Sequence, residues 1–84
     1  MTETEQYLYD MYGTLNLNTE QLAKILGYSG GRGVLEAYQR RTLPVPTFMV
    51  GRFRMADLRD VAAYLDKQKE GAAAAAGAEA RRSP

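Results

Sequence analysis

Six arginines cluster in the middle of this chain of 84 residues, in a stretch that holds only two acids. The arginines are Arg32, Arg40, Arg41, Arg52, Arg54 and Arg59, and the acids are Glu36 and Asp57. A guanidinium group can pair through two hydrogen bonds with a phosphate or with the edge of a guanine. This stretch carries a net charge of +4 and the first 31 residues carry −3, so the overall charge of +1 conceals a polarised molecule.

The composition narrows the classes of function. The sequence has no cysteine and no histidine, which removes disulfides, thiolate metal sites and the commonest general base. It has no phosphate-binding loop, no serine-based catalytic constellation and no paired acids in a pocket-forming frame, so we expect no enzyme, no cofactor and no metal. No signal peptide is recognisable and no run approaches the roughly 20 apolar residues of a membrane span, so we expect a cytoplasmic protein without membrane contact.

The N-terminal residues have the pattern of a short capped helix. Thr2 and Glu5 form the Thr-x-x-Glu pattern of a capping box, which predicts a helix that ends at Gly13. Its apolar stripe consists of Tyr7, Leu8, Met11 and Tyr12. This stripe either packs on the protein's own core or contacts a second protomer.

A second and a third helix are predicted around a glycine-rich link. Asn18 and Gln21 form another reciprocal cap, which predicts a helix over residues 19–26. The third helix begins at Arg32 or Gly33 and ends near residue 41. Val34, Leu35 and Tyr38 are expected to face inward, and the opposite stripe is Arg32, Glu36, Gln39 and Arg40. An intrahelical pair is expected between Glu36 and one of the two flanking arginines.

The sequence then leaves the helix and predicts a β-ribbon. Two prolines in the run Leu43-Pro44-Val45-Pro46 exclude helix. Residues 47–50 and 52–55 are β-prone and fold about Gly51, which predicts a two-stranded wing. Phe48 and Phe53 supply its apolar face and, with Tyr38, are expected in the core rather than as base-stacking platforms.

A closing helix is predicted from Ala56 or Asp57 to between Gln68 and Glu70. The remaining residues are rich in alanine and have little to bury, so we expect a disordered tail or a transient helix. The predicted organisation is therefore a helical extension (1–13), a mainly α domain with a small two-stranded β wing (14–70) and the tail (71–84).

Four pieces of the chain together resemble a known group of DNA-binding domains. They are the helix of residues 17–27, the Leu43-Pro44 step, the ribbon of residues 50–54 and the helix of residues 57–65. In order and spacing they resemble phage and plasmid excisionases, AlpA-like regulators and the wider MerR-type winged helix-turn-helix group. The similarity covers residues 17–67. It implies that the third helix enters the major groove of double-stranded DNA and that the ribbon lies along the backbone or an adjacent minor groove.

The sequence departs from that family pattern at both ends of the third helix. Where the family has a Ser-x-x-Thr-like start, Ser29 is followed by Gly30-Gly31-Arg32-Gly33. Where the family often has a glycine before its Leu-Pro step, this chain has Arg40-Arg41-Thr42. Either the helix ends without a left-handed glycine, or the added arginines contact phosphate.

The resemblance and the chemistry of the two grooves suggest the same division of contacts. Arginine can fork onto guanine and glutamine onto adenine in the major groove, and a narrow minor groove attracts arginine. The residues expected in the major groove are Ser29, Arg32, Glu36, Gln39 and Arg40. The residues expected on the backbone or in the wing contact are Arg41, Thr47, Arg52 and Arg54. The alternative for Arg32 and Arg40 is that they simply form a solvated face of the helix and contact no DNA.

Three functions compete at this stage. The leading hypothesis is an excisionase of a phage or mobile element, a recombination directionality factor that self-associates on attachment-site DNA, bends it and acts with an integrase. The second is an AlpA-like transcriptional regulator or repressor that uses the same surface on a promoter. The third is a protein-interaction module that uses the tyrosine-rich first helix. Arg81 and Arg82 either contact a neighbour or an integrase, or belong to an inert end.

Overall fold

The computed structural model describes the backbone of residues 1–82 and the side chains of residues 1–76. Over these residues four helices surround one three-stranded antiparallel sheet, so the fold is mainly helical. The helices are α1 (Glu3–Tyr12), α2 (Thr19–Leu26), α3 (Gly31–Gln39) and α4 (Leu58–Arg82). The strands are β1 (Asn16–Asn18), β2 (Phe48–Val50) and β3 (Phe53–Asp57).

The first two helices begin at the predicted capping boxes. Thr2 Oγ1 accepts from the Glu5 N–H at 3.2 Å, and Glu5 Oε1 accepts from the Thr2 N–H at 3.0 Å. Asn18 and Gln21 repeat this exchange at 2.8 and 3.0 Å. A glycine in the left-handed conformation ends each helix. Residues close together in the sequence thus determine both ends of α1 and of α2.

The sheet has one strand more than the predicted two-stranded wing. β3 lies in the middle and pairs with both β1 and β2. Leu17 of β1 lies opposite Ala56 of β3, and both residues are fully buried. Three residues are too few for an alternating pattern to be recognised, so β1 becomes visible only through its distant partner.

One core joins all the elements. Its buried side chains are Leu8, Leu17, Leu22, Ala23, Val34, Val45, Ala56, Leu58, Val61 and Ala62. α1 packs against α4, and α2 packs against α3. The predicted stripe of α1 is divided by this packing, because Leu8 is buried and Tyr12 packs against the core. Only Tyr7 and Met11 of the stripe remain exposed.

Four large side chains that were expected to face the core are exposed. They are Leu35, Tyr38, Phe48 and Phe53, with exposed fractions between 38% and 61%. On α3 the buried side is provided by Val34 and Ala37, and on β3 it is provided by Ala56. The prediction was wrong because a short helix and a short ribbon each bury only one narrow side.

The last helix is longer than predicted. α4 begins at Leu58, after the strand that contains Ala56 and Asp57, and runs to Arg82 rather than ending between Gln68 and Glu70. Alanine has the highest intrinsic helix propensity, which favours helix even where the side chains are exposed. The chain from residue 71 to 82 is therefore part of α4, where a disordered tail or a transient helix was expected. Ser83 and Pro84 lie outside the described residues.

Candidate nucleic-acid interface

The exposed side of α3 carries the polar stripe predicted from the sequence. Val34 and Ala37 face the core, and the side chains of the opposite stripe are all exposed: Arg32, Glu36, Gln39 and Arg40. Arg32 Nε lies 3.7 Å from Glu36 Oε1, with the two side chains 93% and 54% exposed. An ion pair this exposed contributes little free energy, so the guanidinium of Arg32 can exchange Glu36 for another anion at low cost.

The start of α3 is fixed by a carboxylate from α2. Gly30 occupies the N-cap position and has no side chain to accept a hydrogen bond. Glu20 Oε1 accepts the Gly31 N–H instead, at 3.0 Å, and places negative charge at the positive end of the helix dipole. A Cβ at Gly31 would lie 2.6 Å from Glu20 Oε1 and 2.7 Å from Thr19 Oγ1. Gly31 therefore leaves room for the Glu20 carboxylate and the Thr19 hydroxyl at the start of α3.

The end of α3 is held by an arginine in a conformation that usually requires glycine. Arg41 has a φ of +60°, the only such value among the non-glycine residues described. Its N–H donates to the Tyr38 carbonyl at 3.1 Å, and the Thr42 N–H donates to the Ala37 carbonyl at 2.9 Å. These two hydrogen bonds form a Schellman motif. The helix thus ends without a left-handed glycine, because Arg41 adopts that conformation instead. The contact of the added arginines with phosphate stays a prediction.

The ribbon after α3 turns on Gly51. Val50 ends β2 and pairs with Phe53, which begins β3, so Gly51 and Arg52 form a two-residue loop. Gly51 has a φ of +62° and Arg52 does not have a positive φ. A glycine with positive φ at the first loop position alone is typical of a type II′ turn, which suits the twist of a hairpin. The side chain of Arg52 is exposed at this tip.

Arg54 connects the ribbon to α3. Its guanidinium carbon lies 3.7 Å from the centre of the Tyr38 ring, and its Nη1 donates to Thr47 Oγ1 at 2.9 Å. Both Arg54 and Thr47 are partly buried. These contacts fix the angle between ribbon and helix, so we assign the two residues a positioning role in addition to the DNA contact expected of them.

A groove of about 360 Å³ separates α3 from the ribbon. Its lining residues are Asn18, Thr19, Leu35, Tyr38, Gln39, Met49, Arg52, Phe53 and Arg54. A second groove of about 320 Å³ adjoins it at Tyr38 and is lined by Arg41 and Thr47, among others. Five of the predicted contact residues therefore border two neighbouring grooves. Arg32, Glu36 and Arg40 lie on the exposed stripe beside them, and exposed Ser29 precedes α3 without lining either groove.

Sequence reasoning missed the aromatic and aliphatic portion of this surface. Leu35, Tyr38, Met49 and Phe53 line the first groove and are exposed. Large apolar residues are expected in a core, so the sequence did not mark these four as part of the surface. The strand register and the contact between Tyr38 and Arg54 show that the ribbon and α3 leave them exposed. No local pattern in the sequence distinguishes these positions from buried ones.

The sixth arginine of the cluster is engaged elsewhere. Arg59 donates to both carboxylate oxygens of Asp57, at 3.0 and 2.8 Å, at the junction of β3 and α4. Hydrogen bonding to this guanidinium holds the pKa of Asp57 below its ordinary value, and Asp57 raises the pKa of Arg59 in return. Arg59 therefore does not belong to the surface of α3 and the ribbon. We call the four exposed arginines of that surface the cationic face: Arg32, Arg40, Arg41 and Arg52.

Comparisons with known proteins identify no relative, so function has to be inferred from the geometry of this surface. No protein-family model, curated protein or solved structure matches the chain. Among the described residues, no three histidine, cysteine, aspartate or glutamate side chains form a group that could hold a metal ion. Within the same range, no helix has the combination of length and apolar character that crossing a membrane requires. The side chains of Arg81 and Arg82 lie outside the described residues, so their predicted contact remains a prediction.

Proposed function

We propose that this protein is a sequence-specific DNA-binding protein of the winged helix-turn-helix type. The single observation that carries the proposal is the exposed arginine surface made by α3 and the adjoining ribbon, with Gln39 and Arg52 on the walls of one groove. An α-helix fits the major groove of B-DNA, and a neighbouring ribbon with an arginine at its tip can reach the backbone or the minor groove at the same time. β1 then acts as a third strand that attaches the wing to the core.

The positions of the three acids of α1 support the same surface, whereas the carboxylate of Glu20 lies at the start of α3 and Glu36 lies on its polar stripe. Glu3, Glu5 and Asp10 lie on α1, which packs against α4. The hydrogen bond between Thr4 Oγ1 and Asp66 Oδ1 at 2.6 Å ties the two helices together. The acidic N-terminal helix thus packs with the closing helix, and the cationic face belongs to other elements. Because the carboxylates of α1 would repel phosphate, this separation favours a defined orientation on DNA.

Within this class, the function that fits best is that of an excisionase, a recombination directionality factor acting in the cytoplasm on phage or mobile-element DNA. Four exposed arginines give modest affinity for a single site, so occupancy requires adjacent protomers to add contacts. The exposed Tyr7 and Met11 of α1 supply an apolar surface for such contacts. An integrase would then act on the DNA bent by the array. An AlpA-like regulator would use the same cationic face on a promoter. An integrase gene and an attachment site beside this gene would favour the excisionase over the regulator.

Footprinting on DNA that flanks the gene tests the proposal. We expect one or more protected sites, and we expect Arg40→Ala to weaken binding by about 1–3 kcal/mol and to relax base preference. Arg52→Ala should weaken binding to all sequences about equally, since the tip contacts phosphate or minor groove. Lys69→Ala, which removes an exposed charge from α4, is the matched control and should leave binding unchanged. Binding unaffected by both arginine changes would show that the assigned surface is wrong.

A further inference from the structure

The ribbon presents an apolar outer surface that the core does not use. Val50 pairs with Phe53, and Phe48 pairs with Met55. Residues paired across antiparallel strands lie on the same side of a sheet, so these four side chains share one side. Arg54 and Ala56 point to the opposite side, where Ala56 is fully buried and Arg54 meets Tyr38. The four apolar residues therefore form the outer surface of the wing, and at the tip of the ribbon Phe53 also borders the groove beside α3.

Exposure along this outer surface is greatest at the tip. Phe53 is 61% exposed and Val50 is 44% exposed, whereas Met55, nearer the core, is partly buried. The guanidinium carbon of Arg52 lies 5.4 Å from the centre of the Phe53 ring, so a cation and an aromatic ring are presented together. A cluster of large apolar side chains at the end of a narrow ribbon costs free energy in water and is typical of a binding surface.

The charges around the tip indicate the chemistry of the occupant. The exposed charge at the tip is the guanidinium of Arg52, and residues 47–56 contain no acid. The phosphate backbone of DNA complements that charge, and many minor-groove proteins use an apolar wedge flanked by arginine to separate adjacent base pairs. The alternative of an apolar protein surface would satisfy Phe53 but would leave Arg52 without a counter-charge.

We propose that Phe53, supported by Val50, inserts between two base pairs from the minor groove and kinks the duplex that α3 contacts, while Arg52 binds the adjacent backbone. Inserted side chains of this kind bend DNA by roughly 20–90°. Pyrimidine–purine steps are the expected targets, because they unstack most easily. This inference rests on the proposed DNA-binding function and adds the residue that performs the bending.

The test uses the full chain and duplexes taken from the footprinted region. 2-Aminopurine replaces adenine in turn at each pyrimidine–purine step, and a donor and an acceptor dye at the duplex ends report the bend by energy transfer. The fluorescence of 2-aminopurine rises when the base is unstacked. We expect wild-type protein to raise it at one step per site and to shorten the end-to-end distance.

The variants separate insertion from simple binding. Phe53→Ala should lose the fluorescence rise and most of the bend, with affinity weakened by about tenfold or less because the cost of unstacking is also removed. Phe53→Leu keeps an apolar wedge and should retain both signals. Tyr9→Ala, which removes another exposed ring, should behave as wild type. Circular dichroism verifies that each variant is folded.

The outcomes distinguish the two proposals. Wild-type protein that binds the duplex without unstacking any step, or Phe53→Ala protein that bends it as well as wild type, would overturn the wedge and leave DNA binding intact. A change in oligomeric state with no change in bending would assign the outer surface to a second copy of this chain instead. Wild-type protein that binds no duplex would end both proposals.

Discussion

At the scale of single residues, Arg41 is the position where folding and the proposed binding oppose each other. Its left-handed backbone completes the Schellman motif of α3, a place that favours glycine. An L-residue with a side chain pays roughly 1–2 kcal/mol for this conformation. The strain is compatible with a guanidinium that serves the cationic face rather than the fold.

Replacing Arg41 with glycine should therefore separate stability from binding. The variant loses the strain but gains freedom in the unfolded chain, so we expect the free energy of unfolding to rise by up to about 1 kcal/mol. Its affinity for duplex DNA should fall, because the proposed contact between Arg41 and a phosphate is removed. Urea unfolding and a DNA titration measure the two effects. A variant that is clearly less stable, or that binds as well as wild type, would contradict this account of Arg41.

Gly31 and Gly33 lie two residues apart in α3, but only the first is constrained by its neighbours. At Gly31 a Cβ meets Glu20 and Thr19 below 3 Å, whereas at Gly33 the nearest atom is Tyr28 Cβ at 3.4 Å. Alanine at Gly31 must displace the Glu20 carboxylate and break its hydrogen bond to the helix start. The two glycines thus provide a matched pair of substitutions.

We expect Gly31→Ala to lower the free energy of unfolding by about 1 kcal/mol, the usual cost of a lost helix cap. Gly33→Ala should raise it by roughly 0.5 kcal/mol, since alanine restricts the unfolded chain and favours helix. Thermal unfolding of both variants measures the difference. If both substitutions stabilise the protein equally, the Glu20 carboxylate does not hold α3 in the way described.

At the scale of elements, what the sequence reveals depends on how local the determining contacts are. The caps of α1 and α2 were predicted correctly because Thr2 and Asn18 meet partners three residues away. β1 was missed because Leu17 is defined by Ala56, which lies far along the chain. Phe53 was misplaced because its side of the ribbon follows from the register with β2. In the candidate site, the sequence predicted the polar stripe of α3 with its arginines, but it did not predict the groove beside that stripe.

The junction of β3 and α4 depends on one carboxylate. Asp57 Oδ1 accepts the Arg59 N–H at 2.8 Å, and the same side chain binds the Arg59 guanidinium. The pKa of Asp57 is thereby held below its ordinary value of 3.8. A carboxyl whose pKa is lower in the folded protein than in the unfolded chain stabilises the fold above the unfolded pKa. That contribution disappears as the pH falls through the folded pKa.

The substitution Asp57→Asn should therefore reduce the acid sensitivity of the protein. Asparagine retains a helix-capping oxygen but loses the ion pair, so we expect lower stability than wild type at neutral pH. As the pH falls below about 3.8 the difference in stability should shrink, and it should vanish below the folded pKa of Asp57, because wild type then loses the same ion pair. Unfolding followed by circular dichroism across the acidic range gives the comparison. A constant difference between the two proteins at every pH would contradict the assigned role of the carboxylate.

At the scale of the whole molecule, the acids of α1 and the arginines of the cationic face lie on different elements of an elongated structure. The molecule measures 56 × 31 × 18 Å, and the 25-residue helix α4 accounts for much of its length. α1 brings its acids to the side of α4, and α3 and the ribbon carry the cationic face. In the proposed function, α1 is thus available for contacts with adjacent protomers, and the cationic face of α3 and the ribbon is available for contacts with DNA phosphates.

The salt dependence of binding to duplex DNA tests the central claim most directly. If Arg41 and Arg52, the two exposed arginines expected on the backbone, each neutralise a phosphate, the logarithm of the binding constant should fall with the logarithm of salt concentration with a slope of about −2. A double variant lacking Arg41 and Arg52 should lose most of that slope, whereas Arg40→Ala should change base preference rather than the slope. A binding constant that does not change with salt, or the absence of binding at low salt, would contradict the account.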